Sequence, residues 1–295
     1  MKKNTHSEYI EVQTEQKYIQ CSPIPSTQEL SDFYRTKYFD QPAGTYSINY
    51  TEVEHEHFKN IAKVAAHTFL KYTTNKSIVD IGCGEGFFID YFLENNWSIA
   101  CCDYSNQGLK RQNPKLEPYF IHSGIEDAIE HYRDHKFGAV SLQNVLEHVP
   151  NPVETLNNLK ALSKDDQTVY RIRVPNDYSN FQKHFMDLGL MVNTWFSPPE
   201  HISYFNNKNI VTLIENCGYE ILSLQADFPI ELFLLNPHSN YWKNRDLGKG
   251  AHMTRAYCEN FLMNQNLDDY TAYSEAAGKI GFGRGLILYC KVKSN

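Results

Sequence analysis

The sequence predicts an α/β fold: a Rossmann-like, doubly wound sheet of seven mostly parallel strands, with an N-terminal cap and a C-terminal insertion. Three observations predict it. Ser77 to Ile81 is a short apolar, β-branched run around Asp80, the pattern of a buried strand. Gly82, Gly84 and Gly86 follow at once, and from Phe87 to Leu93 the apolar spacing becomes helical. Beyond them, strand-like and helix-like segments alternate, which implies a parallel sheet with helices on both faces.

The elements follow in order. Residues 1–55 are polar and then rich in aromatics (Phe33, Tyr34, Tyr38, Phe39, Tyr46, Tyr50), a density expected of a cap lying across a core. Within them Ser26-Thr-Gln-Glu29 is a capping-box pattern that opens a short helix. An amphipathic helix over 56–72 leads into the first core strand. The next strand is Trp97 to Cys102, then a helix near Ser105–Arg111, a strand at Tyr119–His122 and a helix from Ile125 to Tyr132. A strand at Ala139–Leu142, a helix at Pro152–Leu162, a turn at Lys164-Asp-Asp166 and a strand at Thr168–Val174 continue the alternation. A polar insertion over 176–205 reads as a lid. A helix at Asn209–Cys217, stopped by Gly218, and a strand at Glu220–Leu224 close the core at 225. Residues 226–284 form an additional segment, and 285–295 carry the last core strand, Gly285–Val292, and a tail.

Composition sets the class. With 41% hydrophobic and 21% charged residues, the 295-residue chain is an ordinary globular one. A net charge of −7 supplies no general attraction for nucleic acid. No apolar run is long enough to span a membrane, and no apolar core follows the N-terminal lysines as a secretory leader requires. Seven scattered cysteines without a C-x-x-C pair fit reduced thiols and a cytoplasmic setting.

The chemistry concentrates at the strand ends. Glycines at 82, 84 and 86 let the backbone turn sharply and approach a ligand, and the following helix directs its N-terminal N–H groups there. Asp103 falls 21 residues after Gly82, where a carboxylate can accept two hydrogen bonds from vicinal ribose hydroxyls. A dinucleotide G-x-G-x-x-G would need its third glycine at position 87, which is Phe. That spacing counts against an NAD-dependent oxidoreductase, which stays open as an alternative beside a non-catalytic binding module on the same fold.

The pattern Asp80-x-Gly82-x-Gly84-x-Gly86, with Asp103 and the stretch Phe137 to Pro150, resembles the motifs of class I S-adenosylmethionine-dependent methyltransferases. The resemblance implies S-adenosylmethionine as cofactor and S-adenosylhomocysteine as product. It implies binding by Asp80, Gly82, Cys83, Gly84, Gly86, Phe87, Asp103 and Tyr104, with Gln143 and Asn144 at the methionine end. Many members carry an acid near the end of the third strand for the adenine amino group. Gly124 stands there in this chain, so Ile125 and Glu126 are the expected substitutes. Val174-Pro-Asn-Asp, Pro198-Pro-Glu-His-Ile-x-Tyr-Phe205 and Gly281-Phe-Gly-Arg284 further resemble bacterial small-molecule methyltransferases associated with sugar and polysaccharide modification. The acceptor implied is a small molecule such as a nucleotide-linked or phosphorylated sugar. Ser197-Pro-Pro-Glu200 only superficially matches the motif of nucleic-acid amino methyltransferases, because it does not follow the fourth strand and Glu200 is not aromatic.

A hydroxyl or ammonium acceptor must lose a proton, which calls for a general base. His201 is the first candidate, since two prolines fix the chain before it; the other reading is that it holds the lid. His148 is a second candidate, with packing as its alternative, and Asp177 either orients the acceptor or caps the insertion. Tyr178, Trp195, Tyr204 and Phe205 could wall the acceptor, and Arg255 and Arg284, with His252, could bind an anion. No metal site is expected. His55 and His57 are two residues apart and face different sides of a helix, so that cluster reads as a solvated helix start.

Overall fold

The computed structural model describes residues 8–35, 49–163, 167–193 and 195–294. Tyr38, Phe39, Tyr46, the Tyr34 side chain and the turn at 164–166 lie outside the described residues. The strands in chain order are β1 (Ile10–Gln13), β2 (Ile19–Ser22), β3 (Ser77–Ile81), β4 (Ser98–Asp103), β5 (Phe120–His122), β6 (Ala139–Gln143), β7 (Val169–Pro175), β8 (Ser203–Tyr204), β9 (Tyr219–Ala226) and β10 (Gly285–Val292). The α-helices are α1 (Thr27–Arg35), α2 (Glu52–Leu70), α3 (Phe87–Glu94), α4 (Gln107–Gln112), α5 (Ile125–Tyr132), α6 (Pro152–Leu159), α7 (Asn180–Asp187), α8 (Asn209–Asn216), α9 (Gly248–Met263) and α10 (Leu267–Ile280).

Seven strands form the main sheet in the order β5-β4-β3-β6-β7-β10-β9, and only β10 runs against the others. The chain reverses its winding between β3 and β6, so the loops after these two strands flank the crevice where such sheets bind ligands. Strand alternation divides the core. Val79, Ile81, Val140, Leu142, Tyr170 and Ile172 pack on one face with residues of α5, α6 and α8. Ile78, Ala139, Val169 and Tyr289 pack on the other with Phe69 of α2 and Phe88, Ile89 and Phe92 of α3.

Three expectations take a different form. The capping box of the core-entry helix lies at Thr51 and Glu54, each side chain bonding the other's backbone, so α2 starts four residues earlier than hydrophobic spacing suggests. The N-terminal residues do not simply lie across the core. β1 and β2 form a hairpin that pairs with β8 from the insertion, making a second sheet of order β1-β2-β8. Finally, His57 is buried, and its Nε2 lies 3.5 Å from Glu259. Only His55 belongs to an exposed helix start. The two histidines do face different sides, but α9 covers one of them, and burial pushes His57 down to about 4.

In the additional segment, α9 packs along α2 and α10 along β9. Gly278 makes the second contact possible, because a Cβ there would run into the Leu224 carbonyl. Gly278→Ala gains roughly 1 kcal/mol of helix propensity but collides with backbone that cannot rotate away, at a cost of about 1–3 kcal/mol. A lowered urea midpoint in equilibrium unfolding is the expected outcome; an unchanged or raised midpoint would show that the packing yields.

Candidate active site

The loop after β3 is a tight cradle. Gly82 and Gly86 adopt φ of 78° and 81°, conformations that a side chain disfavours. A Cβ on Gly82 would stand 2.5 Å from Val145 Cγ2, and one on Gly86 would stand 2.6 Å from Leu116 Cδ1. The turn after β6 therefore sits directly on the glycine loop. Asp103, at the end of β4, accepts hydrogen bonds from the N–H of Gly84 (2.8 Å) and of Ser105 (3.0 Å), which aims its carboxylate at the loop. Phe87 stacks on Phe58 of α2 at 4.7 Å, and Tyr50 donates to Glu85 at 2.6 Å, closing the loop's outer side. Cys83 is buried among the apolar residues of this face.

Beyond β5, Gly124 lies against the Tyr104 side chain. A Cβ there would meet the Tyr104 ring at 3.3–3.5 Å. Tyr104 is 57% exposed and lies beside the start of α5, so it presents its ring next to Ile125 and Glu126.

Beneath the loop runs a buried polar row. Asp80, Ser141, Arg171 and Tyr289 occupy matching positions on four adjacent strands. Asp80 is 2% exposed, so it lies under the cradle and not at its open side. Burial pushes its carboxyl up to about 7. Arg171 donates to Gln143 Oε1 (3.0 Å) and lies 4.8 Å over the Phe88 ring. Gln143 is thus turned into the sheet by Arg171. Asn144 has φ of 54°, and its side chain accepts a short hydrogen bond from Arg173, which also pairs with Asp227 at 2.6 Å.

The insertion brings the aromatic residues together. Trp195 and Tyr204 flank Tyr178 at 5.3 and 5.8 Å. Tyr204 is buried, donating to the His201 carbonyl and accepting from the Ser197 N–H. Phe205 stands apart from the other three, buried in the main core against Tyr18 of the hairpin. Asp177 is also buried, and its carboxylate takes Arg284 at 2.6 Å. Arg255 neighbours Glu259 and His252. The two arginines are therefore engaged at separate places, and His252 reaches Glu54. His201 and His148 do meet, ring centroids 4.8 Å apart.

A profile of methyltransferase domains matches residues 53–224, more than half of the chain. The chain belongs to the methyltransferase-domain family. Members of this class I group use S-adenosylmethionine as methyl donor. Ubiquinone biosynthesis O-methyltransferases are similar in sequence: that of Actinobacillus pleuropneumoniae is 24% identical over 103 residues, 32% of this chain and 44% of the relative. That of Nitrosospira multiformis is 27% identical over 100 residues, 32% of this chain and 41% of the relative. The match thus spans less than half the length of these curated relatives. Among solved structures, the fold resembles the 1,6-didemethyltoxoflavin-N1-methyltransferase of Burkholderia thailandensis, with bound 1,6-didemethyltoxoflavin and S-adenosylhomocysteine. Its TM-score is 0.52 at 12% identity, covering 98% of this chain and 100% of that one. A S-adenosylmethionine-dependent methyltransferase of Thermotoga maritima gives a TM-score of 0.50 at 11% identity, covering 90% and 99%.

The loop suits the donor of this methyltransferase family. Side chains on Gly82 or Gly86 would drive it against Val145 and Leu116, Gly84 has open space beside it, and Asp103 accepts from the Gly84 N–H. One residue of the site was not foreseen. Glu147 is 1% exposed, and neither carboxylate oxygen has a hydrogen-bond partner among the described residues. The available signal was a carboxylate set between Leu146 and Val149, both buried. One neighbouring imidazole, His148, is the next residue, but the other, His201, comes from a segment more than 50 residues away, which no local pattern reveals.

Two outcomes are expected here. Asp103→Ala should weaken S-adenosylhomocysteine binding about 10- to 100-fold, the size of losing one or two charge-assisted hydrogen bonds, with the melting transition retained; unchanged calorimetric affinity would remove Asp103 from the site. Asp80 ionises in the unfolded chain before it does in the folded one, so its raised value costs stability as pH rises from about 4 to about 7. Asp80→Asn should flatten that decline by up to about 4 kcal/mol. Urea midpoints across this pH range check it, and a parallel decline in both proteins would refute it.

Proposed function

We propose that the chain transfers a methyl group from S-adenosylmethionine to a hydroxyl or amine of a small polar acceptor, a sugar or sugar-linked intermediate. One observation carries the acceptor reading: a cavity of about 160 Å³ beneath the insertion, lined by Gln182, Trp195, Glu231, Tyr241, Trp242 and Arg284 among others. Trp195 Nε1, Gln182 Oε1 and Glu231 Oε2 are buried there without a hydrogen-bond partner among the described residues. An unpaired buried polar group costs about 1–3 kcal/mol. A ligand that offers two O–H donors and one oxygen acceptor would recover that cost at all three. A polyhydroxylated ring carries such groups on neighbouring carbons, and the tryptophans and Tyr241 add flat apolar walls for its C–H faces.

Charge narrows the class. Arg284 is engaged by Asp177 at 2.6 Å and stands 3.8 Å from Glu231, while Arg245 lies over Trp242 at 4.2 Å. A phosphate would have to displace those contacts, so the cavity favours the neutral hydroxyl-bearing ring over a phosphorylated end.

The donor supplies an electrophilic methyl on a positively charged sulfur. On this reading Asp103 holds the ribose, Tyr104 and Ile125 border the adenine, and the turn at Gln143–Asn144 meets the methionine end. Positioning the acceptor contributes much of the acceleration in such a displacement. His201 and His148 meet between the insertion and the β6 turn, and on this reading they manage the acceptor proton.

The test has two stages. Calorimetric titration with S-adenosylmethionine, S-adenosylhomocysteine and NAD should show binding of the first two and none of NAD; binding of NAD alone would overturn the donor. Methyl-labelled donor should then label a member of a panel of monosaccharides and glycosides. Trp195→Phe, which keeps the ring and removes the N–H, should raise the acceptor KM severalfold while S-adenosylhomocysteine affinity stays unchanged. Equal KM for the two proteins would detach this cavity from the acceptor.

A further inference from the structure

Glu147, His148 and His201 each direct one ligand-type atom toward the others, all within 4.8 Å of one another. Glu147 sits in the short 3₁₀ turn Leu146–His148 after β6. His201 arrives from the insertion, which is docked on that turn because the Ile202 N–H donates to the Glu147 carbonyl at 2.8 Å. Holding this carboxyl ionised at such depth requires compensation, since its desolvation costs several kcal/mol. The cations nearest to it are committed elsewhere: Arg173 to Asp227 and Arg284 to Asp177, at 2.6 Å each.

The His148 ring is set for coordination. Its Nδ1 lies 2.6 Å from the Glu200 carbonyl, and a carbonyl can only accept, so Nδ1 carries the proton. The neutral ring then bears its lone pair on Nε2, the nitrogen that faces Glu147 at 3.8 Å. A backbone carbonyl that fixes the tautomer in this way is the usual support of a metal-ligating histidine.

We propose that Glu147, His148 and His201 form a binding site for one divalent transition-metal ion, of the zinc or manganese type. Two imidazoles and one carboxylate suit these ions better than magnesium or calcium, which prefer all-oxygen shells. Three protein ligands leave at least one coordination position open, the arrangement of catalytic rather than structural sites. Around such an ion ligand atoms stand about 3.4 Å apart, given bonds of ~2.1 Å; the three side chains need only draw together slightly. The His148 side chain is 22% exposed, which provides the way in.

Val145, two residues before Glu147, covers Gly82, so the ion would stand beside the donor cradle. Its role rests on the methyl-transfer reading above. An acceptor hydroxyl on the open position loses its proton to solvent more readily. The oxygen's electron pair then forms the C–O bond while the C–S bond breaks and its electrons return to sulfur.

The test uses the full chain after chelator treatment, with Zn²⁺ and Mn²⁺ as probes and neither donor nor acceptor present. Equilibrium dialysis should find one ion per chain, and the melting temperature should rise with added ion. Glu147→Gln and His201→Ala should each weaken binding by about 100-fold or more, since even a partner behind a ligand is worth about 10- to 100-fold, whereas His184→Ala, on the exposed part of the insertion, should not. Circular dichroism and S-adenosylhomocysteine titration establish that each variant is folded. Absence of stoichiometric binding, or binding that survives both site variants, would overturn the proposal. Methylation that proceeds undiminished under chelator would remove the ion from the reaction and leave the methyl-transfer reading standing. A bound ion in a chain that methylates nothing would sink that reading and leave the site.

Discussion

A guanidinium closed inside the sheet ties the cofactor side of this molecule to its far edge. Arg171 is among the largest fully buried side chains, held by Gln143, by the face of Phe88 and by its place in the row that runs from Asp80 to Tyr289. Burying a charge is expensive unless neighbours supply the interactions that water gave up. Here Gln143 at the end of β6 takes one N–H and the Phe88 ring in the first turn of α3 covers the guanidinium, while Nε stays without a hydrogen-bond partner among the described residues. The charge therefore fixes how α3 lies on the sheet, and α3 begins where the glycine loop ends. Loop geometry, strand register and the orientation of Gln143 all depend on the same side chain.

Above this frame the proposed acceptor side draws on distant parts of the chain. The turn after β6 and the insertion bring Glu147, His148 and His201 together, and the insertion and the segment after β9 line the cavity with Trp195, Glu231, Tyr241 and Trp242. Division of labour follows from topology. The parallel half of the sheet shapes a cradle by backbone conformation, whereas the acceptor side depends on side chains brought by insertions. Such sites vary while the cradle persists, which is why one fold serves many acceptors.

The sequence made the cradle side readable because each signal there is local. A glycine with positive φ, a strand that ends in an acid and a helix with apolar spacing all lie within a few residues of one another. The strands β3 and β10 and the helix α5 lie where the pattern put them. Errors came from contacts across the chain. His57 looked solvated, yet α9 covers it. Arg255 and Arg284 looked like one anion patch, yet each found a different carboxylate. Glu147 escaped notice because His201, which joins it and His148, arrives from the insertion. Pairing between charged groups distant in sequence has no period and no spacing to read.

The β1–β2 hairpin sets an order on how the molecule can be completed. Its outer partner, β8, lies far along the chain, and the Gln20 side chain reaches Ser203 across 183 residues. A growing polypeptide releases the hairpin first, and two strands alone have little stability in water. It must wait unpaired while the whole parallel sheet and the insertion are made. Closing so long a loop is slow, and its entropic cost is repaid only on docking. The hairpin is thus made well before the strand that fastens it, and until it docks, β8 lacks its β2 partner and rests on the contact of Ile202 with the β6 turn.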